Sequence, residues 1–116
     1  MNKIFFLSTC DTCKRIINEL DLKDKKFEFQ DIKTQKITAN QLEELKEKAG
    51  SYEALFSKIA RKYKELKLNE KTLTEEEIKK FILQEYTFLK RPVILIKDKI
   101  FIGNSKSNIV EAKKAI

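Results

Sequence analysis

The chain's only two cysteines stand three apart, at Cys10-Asp11-Thr12-Cys13, and the residues around them narrow the possible folds sharply. Ile4-Phe5-Phe6-Leu7 runs up to the pair, and a short apolar run of this kind suits a buried strand over 3–7. Behind the pair, Ile16, Ile17 and Leu20 fall on the same helical face as Cys13, which predicts a helix over 11–21. A strand therefore turns directly into a helix whose first turn carries both sulfurs. Lys25 to Ile32 then alternates, with Phe27, Phe29 and Ile32 on one side, and reads as a second strand. A right-handed crossover makes these two strands parallel.

The pattern next changes to helices. Thr38-x-x-Gln41 is a capping box, Leu42, Leu45 and Ala49 recur at helical spacing behind it, and Gly50 closes the segment. Tyr52, Leu55, Phe56, Ile59, Tyr63 and Leu66 predict one long helix or two short ones over 52–66. A second capping box, Thr74-x-x-Glu77, opens a helix with Ile78, Phe81 and Ile82 inward. Strands return at Val93-Ile94-Leu95-Ile96 and Lys99-Ile100-Phe101-Ile102, joined by Lys97-Asp98 as an antiparallel hairpin. Asn104 or Ser105 can cap a last helix with Ile109, Ala112 and Ile116 inward. The order is βαβ, a helical insert, then αββα. An α/β, thioredoxin-like fold has this order: a mixed four-stranded sheet with a helical insertion between strand 2 and the third helix. The expected organisation is one domain over 1–116, with 1–33 and 74–116 as core and about 38–68 as insert.

Composition limits the function classes. Two Gly, one Pro and 41% hydrophobic residues describe an ordered globule. No apolar run approaches the ~20 residues of a membrane span. The N-terminus lacks the pattern of a signal peptide, so the expected location is the cytoplasm. There a lone cysteine pair is expected to be redox-active or metal-binding, because the compartment is reducing. The net charge of +7, 25 Lys and Arg against 18 Asp and Glu, would suit an acidic partner. Most of it, however, is Lys interleaved with Glu, as in Glu43-Glu44-Leu45-Lys46-Glu47-Lys48, the look of solvated helix faces. With only Arg15, Arg61 and Arg91 as arginines, direct nucleic-acid binding is not expected.

The cysteine chemistry follows from position. A thiolate is the nucleophile in disulfide exchange, and an ordinary cysteine is mostly protonated at neutral pH. Cys10 sits just ahead of a helix, where unpaired N–H groups favour an anion. Cys13 lies about one turn on and faces inward. Cys10 is thus the candidate nucleophile and Cys13 the resolving thiol. Lys14 and Arg15 add positive charge nearby, and Thr9 and Thr12 could donate hydrogen bonds to the thiolate. Structural zinc takes four Cys or His ligands, and this chain has no His and no third Cys, so no metal is expected. The sole proline follows Arg91 and opens a strand, a position where proline is tolerated.

Taken together, the sequence resembles the arsenate reductase-like (ArsC/Spx) family of the thioredoxin superfamily. The residues that carry the likeness are Ser8-Thr9-Cys10-Asp11-Thr12-Cys13-Lys14, Leu55-Phe56-Ser57-Lys58 with Tyr63-Lys64-Glu65-Leu66, and Leu89-Lys90-Arg91-Pro92-Val93-Ile94 followed by Phe101-Ile102-Gly103. The resemblance implies a cis-proline at Pro92 that lies against the active cysteine and places a substrate's backbone, with Arg91 supporting a thiolate or an anion. Glutaredoxin-coupled arsenate reductases of the family have one catalytic cysteine and three arginines around the oxyanion. Here Arg91 matches one of them, while Ser57 and about Gly103 stand where the other two would be. Each charge-assisted bond contributes roughly 1.5–3 kcal/mol, so one arginine holds an oxyanion far less well than three.

The Cys-x-x-Cys with Arg-Pro is closer to the Spx-like branch. That likeness implies either of two roles. One is a thiol–disulfide oxidoreductase acting on glutathione mixed disulfides or protein disulfides, with glutathione as co-substrate and no bound cofactor. The other is a redox-sensing regulator that binds the RNA polymerase α subunit, a contact made near a glycine that Gly50 would match. Arsenate reduction ranks third.

Overall fold

A computed structural model describes residues 2–116. Met1, which the sequence reading includes in its first segment, lies outside them. The chain divides into two compact units, Met1–Gln35 with Arg91–Ile116, and Lys36–Lys90.

The first unit holds a four-stranded sheet of β1 (Asn2–Phe6), β2 (Phe27–Asp31), β3 (Val93–Ile96) and β4 (Lys99–Ile102), in the order β2-β1-β3-β4. β1 runs parallel to β2, with Ile4 opposite Phe29, and antiparallel to β3, with Ile4 opposite Ile94. β3 and β4 form the expected antiparallel hairpin. This is the mixed sheet of a thioredoxin-like α/β fold. Helices α1 (Asp11–Glu19) and α5 (Lys106–Ala115) supply its remaining core. Ile16, Ile17 and Leu20 pack with Ile4, Ile94, Ile96, Ile109 and Ala112, and Phe6, Phe27, Phe29 and Phe101 close the cluster at its margins. Burying a side chain of this size contributes about 1.5–3 kcal/mol, so this cluster outweighs any surface ion pair in the unit. Ile116, expected inward, is 40% exposed, because it is the C-cap of α5 and lies past the helical turn that packs Ile109 and Ala112.

The second unit contains α2 (Ala39–Ala49), α3 (Arg61–Glu65) and α4 (Glu75–Gln84), linked by single 3₁₀ turns. Both capping boxes are present: Thr38 Oγ1 accepts from Gln41 N–H, and Thr74 Oγ1 from Glu77 N–H. Gly50 ends α2 at φ +97°, a left-handed position where glycine carries no Cβ penalty.

Of the two forms expected over 52–66, the structure has two short helical segments and not one long helix. A 3₁₀ turn spans Glu53–Leu55, Phe56 is extended, and only Arg61–Glu65 is α-helical. Two contacts explain the break. The Glu75 carboxylate accepts from Tyr52 N–H at 2.7 Å and Glu53 N–H at 3.2 Å, while Phe56 pairs with Leu89 as a β-bridge. The helical phase is lost at that bridge, so Ile59 and Leu66, which share the three- and four-residue spacing, are 87% and 44% exposed. Phe56 instead packs on Phe88, 5.3 Å between ring centres, and Phe88 on Phe81 at 5.7 Å. The same contacts tie α4 to this unit, whereas its sequence position grouped it with the 74–116 segment.

Candidate active site

β1 ends at Phe6, and the Leu7–Cys10 turn that follows is closed by Cys10 N–H donating to the Leu7 carbonyl at 3.0 Å. Cys10 is the N-cap of α1, with extended φ −94° and ψ 112°. That is where a Ser, Thr or Asp would turn an oxygen onto the first free N–H groups of the helix. The sulfur makes no capping hydrogen bond of strict geometry. The N–H groups of Thr12 and Cys13 still favour its negative charge.

The two sulfurs are displaced in opposite directions. Burial alone would raise the Cys10 value, but the Cys13 backbone N–H, the Cys13 thiol, the Arg91 guanidinium and the Thr12 N–H together hold it below the ordinary cysteine value. Cys13 is fully buried, and burial pushes its thiol up to about 12. A hydrogen bond from the Leu7 backbone works against that rise, while the hydrogen bond and the charge of Cys10 add to it. Both cysteines are free thiols. Among the described residues, no group of three or more His, Cys, Asp and Glu converges to hold a metal.

Of the residues singled out from sequence, Cys10, Cys13, Thr12 and Arg91 act on one another at this turn. Thr12 does so through its main chain, and Thr9 is exposed in the loop before Cys10. Arg91 is partly buried, and Pro92 behind it is buried. The bond between them is cis. Pro92 leads into β3 and its carbonyl accepts from Gly103 N–H at 2.9 Å. A cavity of about 360 Å³ borders the loop, with Phe6, Ile17 and Phe29 as apolar walls and Ser8 and Lys14 beside them.

One residue of the site escaped the sequence reading. Asp31, at the end of β2, accepts from Ser8 N–H and Lys33 N–H, each at 3.2 Å from Oδ1. Burial is the largest single influence and works against its charge, but the Ser8 hydroxyl, the Lys33 and Ser8 N–H groups and the Thr34 hydroxyl together outweigh it, so its carboxyl sits below the usual carboxylate range. The available signal was Asp31-x-x-Thr34 after an alternating strand, the mark of an Asx-type turn.

The ArsC family model matches residues 5–112 of the sequence. The chain belongs to the ArsC family. Solved structures of similar shape include a Staphylococcus aureus COL protein determined in solution by NMR, 29% identical with a TM-score of 0.77 over 96% of this chain and 97% of that one. An arsenate reductase from Vibrio cholerae is 15% identical with a TM-score of 0.80 over 95% of both chains. A Brucella melitensis protein related to arsenate reductase is 20% identical, with a TM-score of 0.70 over 96% of this chain and 92% of that one. The last two bear on fold alone. No curated protein matches the sequence. ArsC membership, with a low-pKa cysteine at a helix start, supports a thiol-based redox function.

Proposed function

We propose that the chain is a thiol–disulfide oxidoreductase in which Cys10 attacks and Cys13 resolves. The observation that carries this reading is the opposite displacement of two thiols one helical turn apart. The exposed-side sulfur is the better anion, as a nucleophile requires, and the buried one keeps its proton until needed.

In the first step the Cys10 thiolate attacks one sulfur of a disulfide R–S–S–R′. A Cys10–S–S–R bond forms, the old S–S bond breaks, and R′–S⁻ leaves and takes up a proton. Cys10 is then neutral, so its charge no longer holds up the Cys13 value. Cys13 loses its proton, attacks the Cys10 sulfur and expels R–S⁻, which is protonated in turn. The pair has given up two electrons and become an intramolecular disulfide. Two equivalents of glutathione, or of another small thiol, restore both thiols and leave as the oxidised dimer. Arg91 stabilises the Cys10 anion, Pro92 lies behind it to orient the substrate, and the cavity beside Ser8 and Lys14 gives room to the part of the substrate that does not react.

The test is turnover of a glutathionylated peptide, coupled to glutathione reductase and NADPH. Wild-type protein is expected to turn over, Cys10→Ser to be inactive, and Cys13→Ser to stop as a covalent adduct visible by mass spectrometry. Absence of turnover with both glutathione and thioredoxin systems would overturn the enzyme reading. Capture of the RNA polymerase α subunit in that case would transfer the pair to the regulator's role. Arsenate reduction at low substrate concentration would instead show that Arg91 serves an oxyanion.

A further inference from the structure

We propose that Asp31 is a positioning residue for thiol exchange, fixing the peptide plane that aims Cys10. The proposal rests on the reading of Cys10 as nucleophile. Ser8 N–H and Leu7 C=O belong to one peptide unit, which is planar and turns as a rigid body. One end of that unit is held by Asp31 Oδ1, which accepts from Ser8 N–H at 3.2 Å. The other end holds Cys10, since the Leu7 carbonyl accepts from Cys10 N–H at 3.0 Å. Rotating the plane to release one contact releases the other. The Leu7 backbone also bonds to the Cys13 sulfur, so both thiols depend on the same short segment.

Asp31 is itself well anchored. It is the last residue of β2, paired with Phe6, and Ile32 N–H continues the ladder onto the Phe6 carbonyl at 2.9 Å. Its own carbonyl accepts from Gln35 N–H at 2.8 Å and Thr34 N–H at 3.2 Å. Lys33 N–H shares Oδ1 with Ser8. The carboxylate therefore bridges the hydrogen-bonded end of β2 to the loop that carries Cys10. The acceptor is a carboxylate, so both hydrogen bonds are charge-assisted. A carboxylate that closes only its own turn would contact Lys33 and Thr34. The reach to Ser8, 23 residues earlier in the chain, is what ties it to the cysteine loop.

The experiment compares wild type with Asp31→Ala, Asp31→Asn and Ser105→Ala. Ser105→Ala removes the hydroxyl cap of α5 and serves as the destabilised control. Alkylation of Cys10 by iodoacetamide is followed from pH 4 to 10 by mass spectrometry, beside urea unfolding of each variant. In Asp31→Ala the Cys10 profile is expected to move to higher pH, with alkylation at pH 6 slowed roughly threefold or more as the thiolate fraction falls. Asp31→Asn keeps an oxygen acceptor for Ser8 N–H and is expected to lie between Asp31→Ala and wild type. Ser105→Ala is expected to lose stability with the Cys10 profile unmoved. A profile for Asp31→Ala that superimposes on wild type while stability drops would overturn the proposal. If Asp31→Ala does not fold, Asp31→Asn decides it alone, a profile displaced to higher pH supporting the proposal and one superimposed or displaced to lower pH refuting it. These readings need no turnover, so failure of the oxidoreductase reading in the Cys10→Ser assay is separately visible.

Discussion

Three helices of this protein begin with a hydroxyl and one begins with a sulfur. Thr38 opens α2, Thr74 opens α4 and Ser105 opens α5, and each side-chain oxygen accepts from a first-turn N–H at 3.1 to 3.2 Å. α1 has Cys10 in the same place, with the same extended backbone, and no capping hydrogen bond from its side chain. An oxygen cap contributes about 1 kcal/mol to stability. A neutral thiol is a weaker acceptor, so α1 forgoes part of that. Its N–H groups are instead available to whatever charge the sulfur acquires. The same position in a helix thus serves folding at three sites and reactivity at the fourth.

The largest effect should come from converting the fourth site into the other three. Cys10→Ser is expected to abolish disulfide exchange, by at least about a thousandfold in the coupled assay, as loss of a nucleophile does. It should also stabilise the fold by roughly 0.5–1 kcal/mol at pH 5, read from the urea midpoint, because serine is a good N-cap. The sign with pH sharpens the comparison. The folded Cys10 value lies below the unfolded one, so its thiolate stabilises the native state above the unfolded value. That contribution is lost as pH falls through the folded value. The advantage of serine should therefore be greatest in acid and shrink towards pH 9. A constant advantage would mean that the N–H groups do not discriminate thiolate from thiol.

Arg91→Ala tests the contribution that does not come from the helix. The guanidinium favours the Cys10 anion, so its removal should shift the Cys10 alkylation profile to higher pH and slow exchange at neutral pH. An unmoved profile would leave the helix N–H groups and the Cys13 thiol as the whole cause. Cys13 should titrate the other way. Its folded value is raised to about 12, above the ~8.5 of a free cysteine. Between these values the unfolded chain gives up a proton that the native state keeps, so stability falls as pH rises through that window. The lead of wild type over Cys13→Ala in urea midpoint should accordingly narrow from pH 8 to pH 11. A lead that stays constant would show that Cys13 ionises freely in the fold.

Much of the first unit was readable from sequence because its signals are local. Ile16, Ile17 and Leu20 repeat with the period of a helix, Phe27 and Phe29 with that of a strand, and each is closed by chain punctuation nearby. The capping boxes at Thr38 and Thr74 were equally explicit. What periodicity does not record is where distant backbone interrupts it. Ile59 fits the three- and four-residue spacing of its neighbours, yet the Phe56–Leu89 bridge, 33 residues apart in sequence, breaks the helix before it. Asp31 was missed for the same reason. Its turn with Thr34 is local and could have been recognised, but its bond to Ser8 joins the ends of two strands and leaves no trace in the spacing. The cysteine pair itself was legible in type and position, and Cys13 already read as its inward member. The full burial of Cys13, which pushes its thiol up to about 12, is decided by packing.

The smallest predicted effect examines the ordinary side of the comparison. Thr74→Ala removes the hydroxyl that accepts from Glu77 N–H at 3.2 Å, and leaves Glu77 Oε1, 2.9 Å from Thr74 N–H, as half of a box. The cost should be about 1 kcal/mol, within the usual 0.5–2 for losing such a cap. α4 lies in the Lys36–Lys90 unit, away in sequence from both cysteines, so the Cys10 alkylation profile should superimpose on that of wild type. Thr74→Ser, which keeps an acceptor, should recover most of the stability. If Thr74→Ala instead moved the Cys10 profile, hydroxyl caps would be adjusting the reactive site as well as the fold, and the division between three structural helix starts and one chemical one would fail. If neither stability nor profile changed, the oxygen at α4 would be contributing nothing that water does not, and the stabilisation expected from placing serine at position 10 would lose its basis.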